Sequence, residues 1–216
     1  MKAKWQGHRL VPSARSAILC AVAIFLIAIS FVSPVFAAES TGVGVGMVKQ
    51  TSVRTWGGTS WGDASAANDV EGAILSSVLK ANPTGNGEKI LATLDREGVL
   101  KVQVWNGSEW SAITQLTAQI GTVNCQYQPF DVSYETTSGN AIIVYSDNST
   151  IPKYRVFSAG AWGGELSTGI TVTAAQVPRF INLVRKPGSN EIMCLVSDST
   201  AQSELWADVW DGDTDT

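Results

Sequence analysis

The chain has 216 residues, with 15 Lys and Arg against 19 Asp and Glu. Residues 1–37 hold four of the basic residues and no acid, so the remainder has a net charge of −8 (11 − 19). Because an acidic surface repels phosphate backbones, nucleic acid is not an expected partner. The single histidine, His8, lies in the same first segment. The remainder therefore has no Ser-His-Asp triad, Cys-His dyad or His-ligated zinc site.

Residues 1–37 have the pattern of a secretory signal peptide. Basic residues come first, an apolar run spans 17–32, and Val35-Phe36-Ala37 precedes a predicted cleavage before Ala38. The run has 16 residues, fewer than the roughly 20 that span a bilayer. Cleavage is therefore favoured over a retained anchor. We expect a secreted, extracellular or periplasmic protein that contacts a membrane only through an uncleaved leader.

A six-residue aromatic motif recurs through the remaining chain. Each copy opens on an aromatic residue, and the openings follow at steps of 49, 52 and 53 residues, at Trp56, Trp105, Phe157 and Trp210. Three copies close on a tryptophan five positions later, at Trp61, Trp110 and Trp162. A period near 50 residues indicates a repeat architecture.

Each repeat unit has the pattern of four short strands separated by turn residues. Apolar and polar residues alternate over 100–105, which is typical of a half-buried strand. Asn106-Gly107 follows and favours a tight hairpin turn. The repeat domain is predicted over 38–216, with a partial unit at 41–67 and units at about 70–118, about 127–170 and about 178–216. The predicted strands are 73–80, 89–94, 100–105 and 110–116, then 130–134, 141–145, 153–157 and 162–167, then 180–184, 192–196 and 205–210.

Four antiparallel strands repeated about every 50 residues predict an all-β, propeller-like fold. The spacing is similar to that of kelch-type and sialidase-type propeller repeats, although neither the kelch double glycine nor the sialidase aspartate box is present. Closed propellers have about four to eight blades, more than the units found here. The sequence therefore predicts an incomplete propeller that is truncated, open, or closed by oligomerisation, and truncation is favoured. A β-sandwich is the alternative fold, but it does not predict the recurring motif.

Aspartates recur after the second strand of each unit, at steps of 52 and 51 residues, at Asp95, Asp147 and Asp198. Aspartate accepts hydrogen bonds from its own backbone in turns, so a turn role is favoured over an acidic rim or an ion site.

A second acidic pattern stands at the end of the sequence. Asp211, Asp213 and Asp215 alternate as the first ligands of a calcium loop do. The glycine at position six and the closing glutamate of such a loop are absent. A solvated tail is favoured, and no metal or other cofactor is expected.

The motif Trp-Asn/Asp-Gly-x-x-Trp resembles the repeat of small bacterial and fungal fucose-binding propeller lectins. The resemblance implies sugars bound between blades and stacked on Trp61, Trp110 and Trp162. Those lectins also hold the sugar hydroxyls with an arginine on one strand and a glutamate on the next. Here the second strands contain no arginine, and the third strands have Gln103 and Arg155 before the aromatic residue, with no recurring glutamate.

The sequence favours a non-catalytic module that provides a binding or scaffolding surface, with carbohydrate or surface proteins as partners. A carbohydrate-binding, lectin-like module is the first alternative, and a fragment of a glycoside-active enzyme is the second. A lectin predicts that Trp110 and Trp162 are partly exposed beside polar side chains, whereas a scaffold predicts that both are buried. An enzyme requires two carboxylates within about 10 Å of each other in one pocket.

Overall fold

A computed structural model describes residues 8–10, 49–120, 126–198 and 204–214. These residues form strands and one three-residue 3-10 helix, Gly212–Thr214, and the predicted all-β class is confirmed. The rest of the predicted leader and the start of the partial unit lie outside the described residues. Within the described part of the chain, no helix has the length and apolar character needed to cross a membrane.

The first three strands belong to two different sheets. Strand β1 (His8–Leu10) falls inside the predicted leader and pairs antiparallel with the last strand of the chain. Strands β2 (Ser52–Val53) and β3 (Ser65–Ala66) form a short ladder in the partial unit. Trp56 and Trp61 bridge farther along the same hairpin. The partial unit is therefore a narrow hairpin where the structure describes it.

Three antiparallel meanders follow, in which neighbours along the chain are also neighbours in the sheet. The first sheet contains β4 (Ile74–Ala81), β5 (Lys89–Asp95), β6 (Leu100–Trp105) and β7 (Thr114–Thr117). The second sheet contains β8 (Phe130–Tyr134), β9 (Ala141–Tyr145), β10 (Lys153–Ser158), β11 (Ala161–Trp162) and β12 (Leu166–Ser167). The third sheet contains β13 (Phe180–Arg185), β14 (Glu191–Ser197) and β15 (Leu205–Asp211), with β1 at its outer edge.

The fourth strand of each complete unit differs from its prediction. The sequence predicts continuous strands over 110–116 and 162–167, but the chain leaves the ladder after the aromatic hairpin and rejoins it later as β7 or β12. In the first sheet, the Ser111 hydroxyl accepts the Val104 N–H, and the Ser111 N–H donates to the Val104 carbonyl. A side chain thus takes the place of a backbone acceptor, which interrupts the regular ladder.

The three sheets stack face to face, with their first strands side by side. Strand β8 lies beside both β4 and β13, and the Ile181 N–H donates to the Gln128 carbonyl across this inner edge. One core lies between the first and second sheets, and a second core lies between the second and third sheets. Alternation explains both cores, because Ile142 and Val144 of β9 face the third sheet while Ile143 faces the first.

One buried carboxylate joins the first strands of all three sheets. Asp131 is 1% exposed; its Oδ1 lies 3.3 Å from Lys80 Nζ in the first sheet, and its Oδ2 accepts the Leu183 N–H in the third sheet at 2.8 Å. Burial raises the pKa of Asp131, while the Lys80 charge acts in the opposite direction. The stack is therefore tied together at its inner edge by polar contacts as well as apolar ones.

Cys194 of β14 is buried and unpaired in the described residues. Burial raises the pKa of its thiol well above the ordinary range, and the carboxylates of Asp208 and Asp131 raise it further. A thiol of this kind is chemically inert at neutral pH, because the reactive species is the thiolate. Cys125, the other cysteine after the predicted leader, lies outside the described residues.

Candidate functional site

The aromatic motif forms a hairpin that places two rings side by side. Trp56 and Trp61 have ring centroids 5.2 Å apart, and Trp105 and Trp110 have centroids 5.6 Å apart. Each pair also forms a cross-strand bridge. Phe157 and Trp162 likewise pair across strands, with centroids 5.1 Å apart, and all three pairs are tilted by 52–58°. Such aromatic pairs stabilise adjacent strands by direct contact.

The turn residues of the motif account for its Asn-Gly element. Asn106 Oδ1 accepts the backbone N–H groups of Ser108 and Glu109 at 2.9 and 3.0 Å. Gly107 has a φ of 106°, which a residue with a side chain rarely adopts. The polar residues of this motif copy therefore hold the turn that brings the two indoles together.

Exposure of the opening aromatic residue falls along the chain. Trp56 is 37% exposed, Phe157 is 5% exposed and Trp210 is 2% exposed. The closing tryptophans are more open: Trp61 is 40% exposed, and Trp110 and Trp162 are half-buried. The copies of the motif thus share a local hairpin geometry but differ in how far their aromatic rings are exposed to solvent.

At the interface between the second and third sheets, the last copy of the motif packs against a buried glutamate. Trp210 Nε1 donates to Glu135 Oε1 at 2.8 Å, and Glu135 is 2% exposed. The Ser138 hydroxyl donates to the other carboxylate oxygen. A side chain at Gly212 would collide with this carboxylate. The Trp-Asp-Gly element therefore closes this interface around Glu135.

Asn190 closes the same interface at the adjoining turns. Its Oδ1 accepts the backbone N–H groups of Thr137 and Ser138 at 3.1 and 2.9 Å, and its Nδ2 donates to Asp213 Oδ1 at 2.7 Å. The side chain is largely buried, at 8% exposure. One amide thus joins the first turn of the second sheet to the end of the third sheet.

Replacing Asn190 with alanine should lower the free energy of unfolding by about 1–2 kcal/mol, because two backbone N–H groups lose their acceptor. Chemical denaturation followed by circular dichroism measures the change. Replacement of Gln115, an exposed amide on β7, is the matched control and should change stability by less than about 0.5 kcal/mol. Equal effects of the two variants would contradict the bridging role.

At the equivalent place between the first and second sheets, the structure has an open polar cleft of about 230 Å³. The backbone N–H groups of Asn82 and Glu135 each donate across the turn of the first hairpin of their sheet, to the carbonyls of Glu88 and Asn140, so the two residues are equivalent. Phe157 is likewise equivalent to Trp210. The cleft is lined by three turns, which contribute Asn82, Thr84, Asn86 and Glu88; Ser138, Gly139 and Asn140; and Phe157, Ser158, Ala159 and Gly160.

Two sequence differences explain why this cleft is open. The Phe157 side chain has no N–H to donate, whereas the Trp210 indole donates to Glu135. The Asn82 side chain is shorter than that of Glu135 and bonds to turn backbone on both sides. Its Oδ1 accepts the Thr84 N–H of its own turn at 3.0 Å. Its Nδ2 donates to the Gly139 carbonyl in the neighbouring turn at 3.0 Å. The contacts between turns remain, but no side chain fills the space between them.

The lining of the cleft is polar, with one carboxylate and one aromatic ring. Glu88 provides the carboxylate, and its Oε1 accepts a hydrogen bond from Asn82 at 3.2 Å. Burial raises the pKa of the neighbouring Tyr134, and the Glu88 charge raises it further, so this phenol stays protonated. The lining residues include no lysine or arginine. A neutral hydroxyl-bearing ligand suits this surface better than an anion does.

The structure brings only part of the predicted sugar site to this cleft. Trp162 contacts the cleft residue Phe157, whereas Trp61 and Trp110 belong to the two preceding hairpins. Gln103 is 1% exposed, and its amide exchanges hydrogen bonds with the Asn68 backbone at 2.8 and 3.1 Å. It therefore holds the segment that follows the partial unit to the first sheet and does not line the cleft.

The arginine on the third strand of the second sheet also has partners within its own sheet. Arg155 Nε donates to the Tyr145 hydroxyl at 3.4 Å, and that hydroxyl donates to Glu165 at 2.6 Å. Burial raises the pKa of Tyr145. These three side chains form a separate polar group away from the cleft lining.

Two of the three recurring aspartates, Asp95 and Asp147, accept hydrogen bonds from the backbone of their own turns. Asp95 Oδ1 accepts the backbone N–H groups of Glu97 and Val99 at 3.0 and 2.8 Å. Asp147 Oδ1 accepts the Ser149 N–H at 3.1 Å, and Asp198 is 7% exposed at the end of β14. The contacts of Asp95 and Asp147 are those of residues that shape a turn.

The acidic residues at the end of the sequence bond to protein groups. Asp211 Oδ1 accepts the Asp213 N–H at 3.1 Å, and Asp213 Oδ1 accepts from Asn190. Asp215 lies outside the described residues. No cluster of three or more His, Cys, Asp or Glu side chains suited to a metal occurs in the described part of the chain.

No protein-family model matches this chain, and no curated protein matches it. The cleft must therefore be interpreted from its own residues. Sequence reasoning chose the closing tryptophans and missed Asn82, Glu88 and Asn140. The signal that could have identified them is the polar turn between the first and second strands of each unit, 82–87 and 136–140.

Proposed function

We propose that this chain is a non-catalytic binding module with a propeller-like architecture that acts outside the cytoplasm. We further propose that it binds a small neutral carbohydrate in the cleft between the first and second sheets. The observation that supports this most directly is the open polar cleft at a place that Trp210 and Glu135 fill at the next interface.

The stack of meanders supports a propeller-like architecture. Consecutive first strands lie side by side, and each sheet covers the face of the next. Blades around a central axis have this relation. The order of basic residues, apolar run and predicted cleavage site over residues 1–37 supports a location outside the cytoplasm.

The chemistry of the lining supports a carbohydrate over other small ligands. Amide and hydroxyl groups from Asn140 and Ser158 suit the hydroxyls of a sugar. The cleft, at about 230 Å³, is smaller than the roughly 300–1,000 Å³ of sites for drug-sized ligands. A ligand of one sugar ring fits this size, and the absence of a cation in the lining disfavours phosphorylated ligands.

The same lining argues for binding without catalysis. Glycoside hydrolysis commonly uses two carboxylates, placed on either side of the bond that is cleaved. Glu88 is the one carboxylate among the cleft residues. A glycoside-active enzyme is therefore the weaker proposal for this site.

Ligand-observed NMR of the full chain with a panel of neutral monosaccharides tests the proposal. We expect saturable binding of at least one sugar and a loss of affinity of about 10-fold, or about 1.4 kcal/mol, in Asn140→Ala. Gln115→Ala removes an exposed amide from β7 of the first sheet and should leave binding unchanged. The proposal is wrong if no sugar binds, or if both variants weaken binding equally.

A further inference from the structure

Several hydrogen-bond donors in the lining of the cleft are already used within the protein. Both Nδ2 hydrogens of Asn82 are engaged, one by Glu88 Oε1 at 3.2 Å and one by the Gly139 carbonyl at 3.0 Å. The Thr84 hydroxyl donates to Asn82 Oδ1 at 2.9 Å, and the Ser138 hydroxyl donates to the buried carboxylate at the next interface. Because a hydroxyl group has one hydrogen to donate, these two hydroxyls can meet a ligand only as acceptors.

The acceptors at the cleft exceed the donors that the protein supplies to them. Glu88 is half-buried, and a carboxylate has about four acceptor sites, of which Asn82 occupies one. The Tyr134 residue is 1% exposed, and its hydroxyl has no hydrogen-bond partner of ordinary geometry among the described residues. Glu88 lies near enough to raise the pKa of this phenol. A ligand that brings several donors therefore suits this part of the cleft.

The Glu88 carboxylate also has no cation beside it in the lining of the cleft. Lys89 follows Glu88 in the sequence, but its Nζ donates to the Gly87 carbonyl at 3.0 Å, and it is not a lining residue. Lys80 of the same hairpin lies 3.3 Å from Asp131. The chain after the predicted leader has a net charge of −8 (11 − 19). The electrostatic attraction of a cationic ligand is therefore unopposed at this carboxylate.

We propose that the cleft binds an amino sugar, with its protonated amine beside Glu88, more tightly than the neutral sugar of the same ring. This inference rests on the proposed function and adds to it the one substituent that the site distinguishes. An ammonium group has three donors and no acceptor, so it matches a surface that has unused acceptors and one negative charge. The Asn140 amide and the Ser158 hydroxyl remain for the hydroxyls of the ring.

Matched pairs of sugars test this preference with the full chain. The members of a pair differ only by a hydroxyl or an amino group at one carbon, as in glucose and glucosamine, galactose and galactosamine, or mannose and mannosamine. Ligand-observed NMR below the pKa of the amine measures both affinities. In a pair whose neutral sugar binds, the amino sugar should bind about 5-fold tighter, a gain at the upper end for a partly exposed ion pair. The N-acetylated sugar has no charge and should lack this gain.

Glu88→Gln removes the charge but keeps an oxygen for the Asn82 amide. This variant should bind both members of a pair equally. Its affinity for the neutral sugar should stay close to that of the wild type, which shows that the cleft is intact. Glu97→Gln is the matched control, because it removes the same charge from an exposed residue in the turn after β5, outside the cleft lining. The control should keep the preference for the amino sugar.

The outcomes separate this inference from the function on which it rests. If the wild type binds both members of each pair equally, the inference is wrong and the proposed function stands. If Glu97→Gln loses the preference as Glu88→Gln does, the net charge of the chain attracts the amine, and the inference is again wrong. An amino sugar that binds although its neutral partner does not would support the inference and contradict the neutral ligand. If no sugar of either kind binds, both proposals fail.

Discussion

Replacing Trp210 with alanine should lower the free energy of unfolding by about 3–5 kcal/mol, the range for deletion of a large buried aromatic side chain. The indole is 2% exposed, and its ring centroid lies 5.5 Å from that of Tyr154. Its loss leaves a cavity between the second and third sheets and removes a donor from the buried Glu135 carboxylate. Urea denaturation followed by far-UV circular dichroism measures the change.

Trp56→Ala is the matched control, because Trp56 opens another copy of the same motif. Its side chain is 37% exposed, and its main contact is the Trp61 ring. We expect a loss below about 1.5 kcal/mol, the upper value for an aromatic pair beyond its area burial. A loss equal to that of Trp210→Ala would mean that the motif stabilises each unit locally, whatever its burial.

Trp210→Phe separates the hydrogen bond from the ring. This variant reproduces the residue found at position 157, so it should retain most of the apolar contact and lose the bond to Glu135. A cost of about 1–3 kcal/mol is expected from the unpaired buried carboxylate. The variant also tests why the cleft is open, since it makes the second interface resemble the first.

The sequence predicts the local structure of the aromatic motif but not the burial of its residues. Aromatic spacing and two-residue alternation are local signals, and they predict the first three strands of each complete unit but not the interrupted fourth strand. Burial of the same residues depends on partners distant in sequence. Glu135, which decides the environment of Trp210, lies 75 positions earlier in the chain. No local pattern in the motif reports that partner.

The turns that line the cleft can likewise be predicted from the sequence, whereas their meeting in space cannot. The turn runs near Asn82 and Asn140 are visible in the sequence as hairpin connections, and their turn chemistry is predictable from Asn, Gly and Thr. Their meeting at one cleft depends on the stacking of two sheets, which is set by the cores on the sheet faces. A ligand site made of turns from neighbouring units can therefore be recognised only once their register is known.

Asp131 gives the second large expected effect. Asp131→Ala should lower the free energy of unfolding at pH 7 by about 2–3 kcal/mol, because the buried Leu183 N–H loses its acceptor and Lys80 loses its partner. Asp131→Asn keeps an oxygen for the Leu183 N–H, and the Lys80 side chain is 38% exposed and can turn to water. The asparagine variant should therefore remain within about 1 kcal/mol of the wild type, because the neutral amide loses the ion pair but also avoids the cost of burying a charge.

The pH dependence of stability distinguishes the charge of Asp131 from its shape. Burial raises the pKa of this carboxyl in the folded state, so the fold binds its proton more firmly than the unfolded chain does. The stabilisation from this group is then present below the unfolded pKa of about 3.9 and is lost as the pH rises through the folded pKa. The wild type should lose stability relative to Asp131→Asn across that window. An unchanged or opposite difference would mean that the Lys80 charge outweighs burial and holds the carboxylate ionised in the fold.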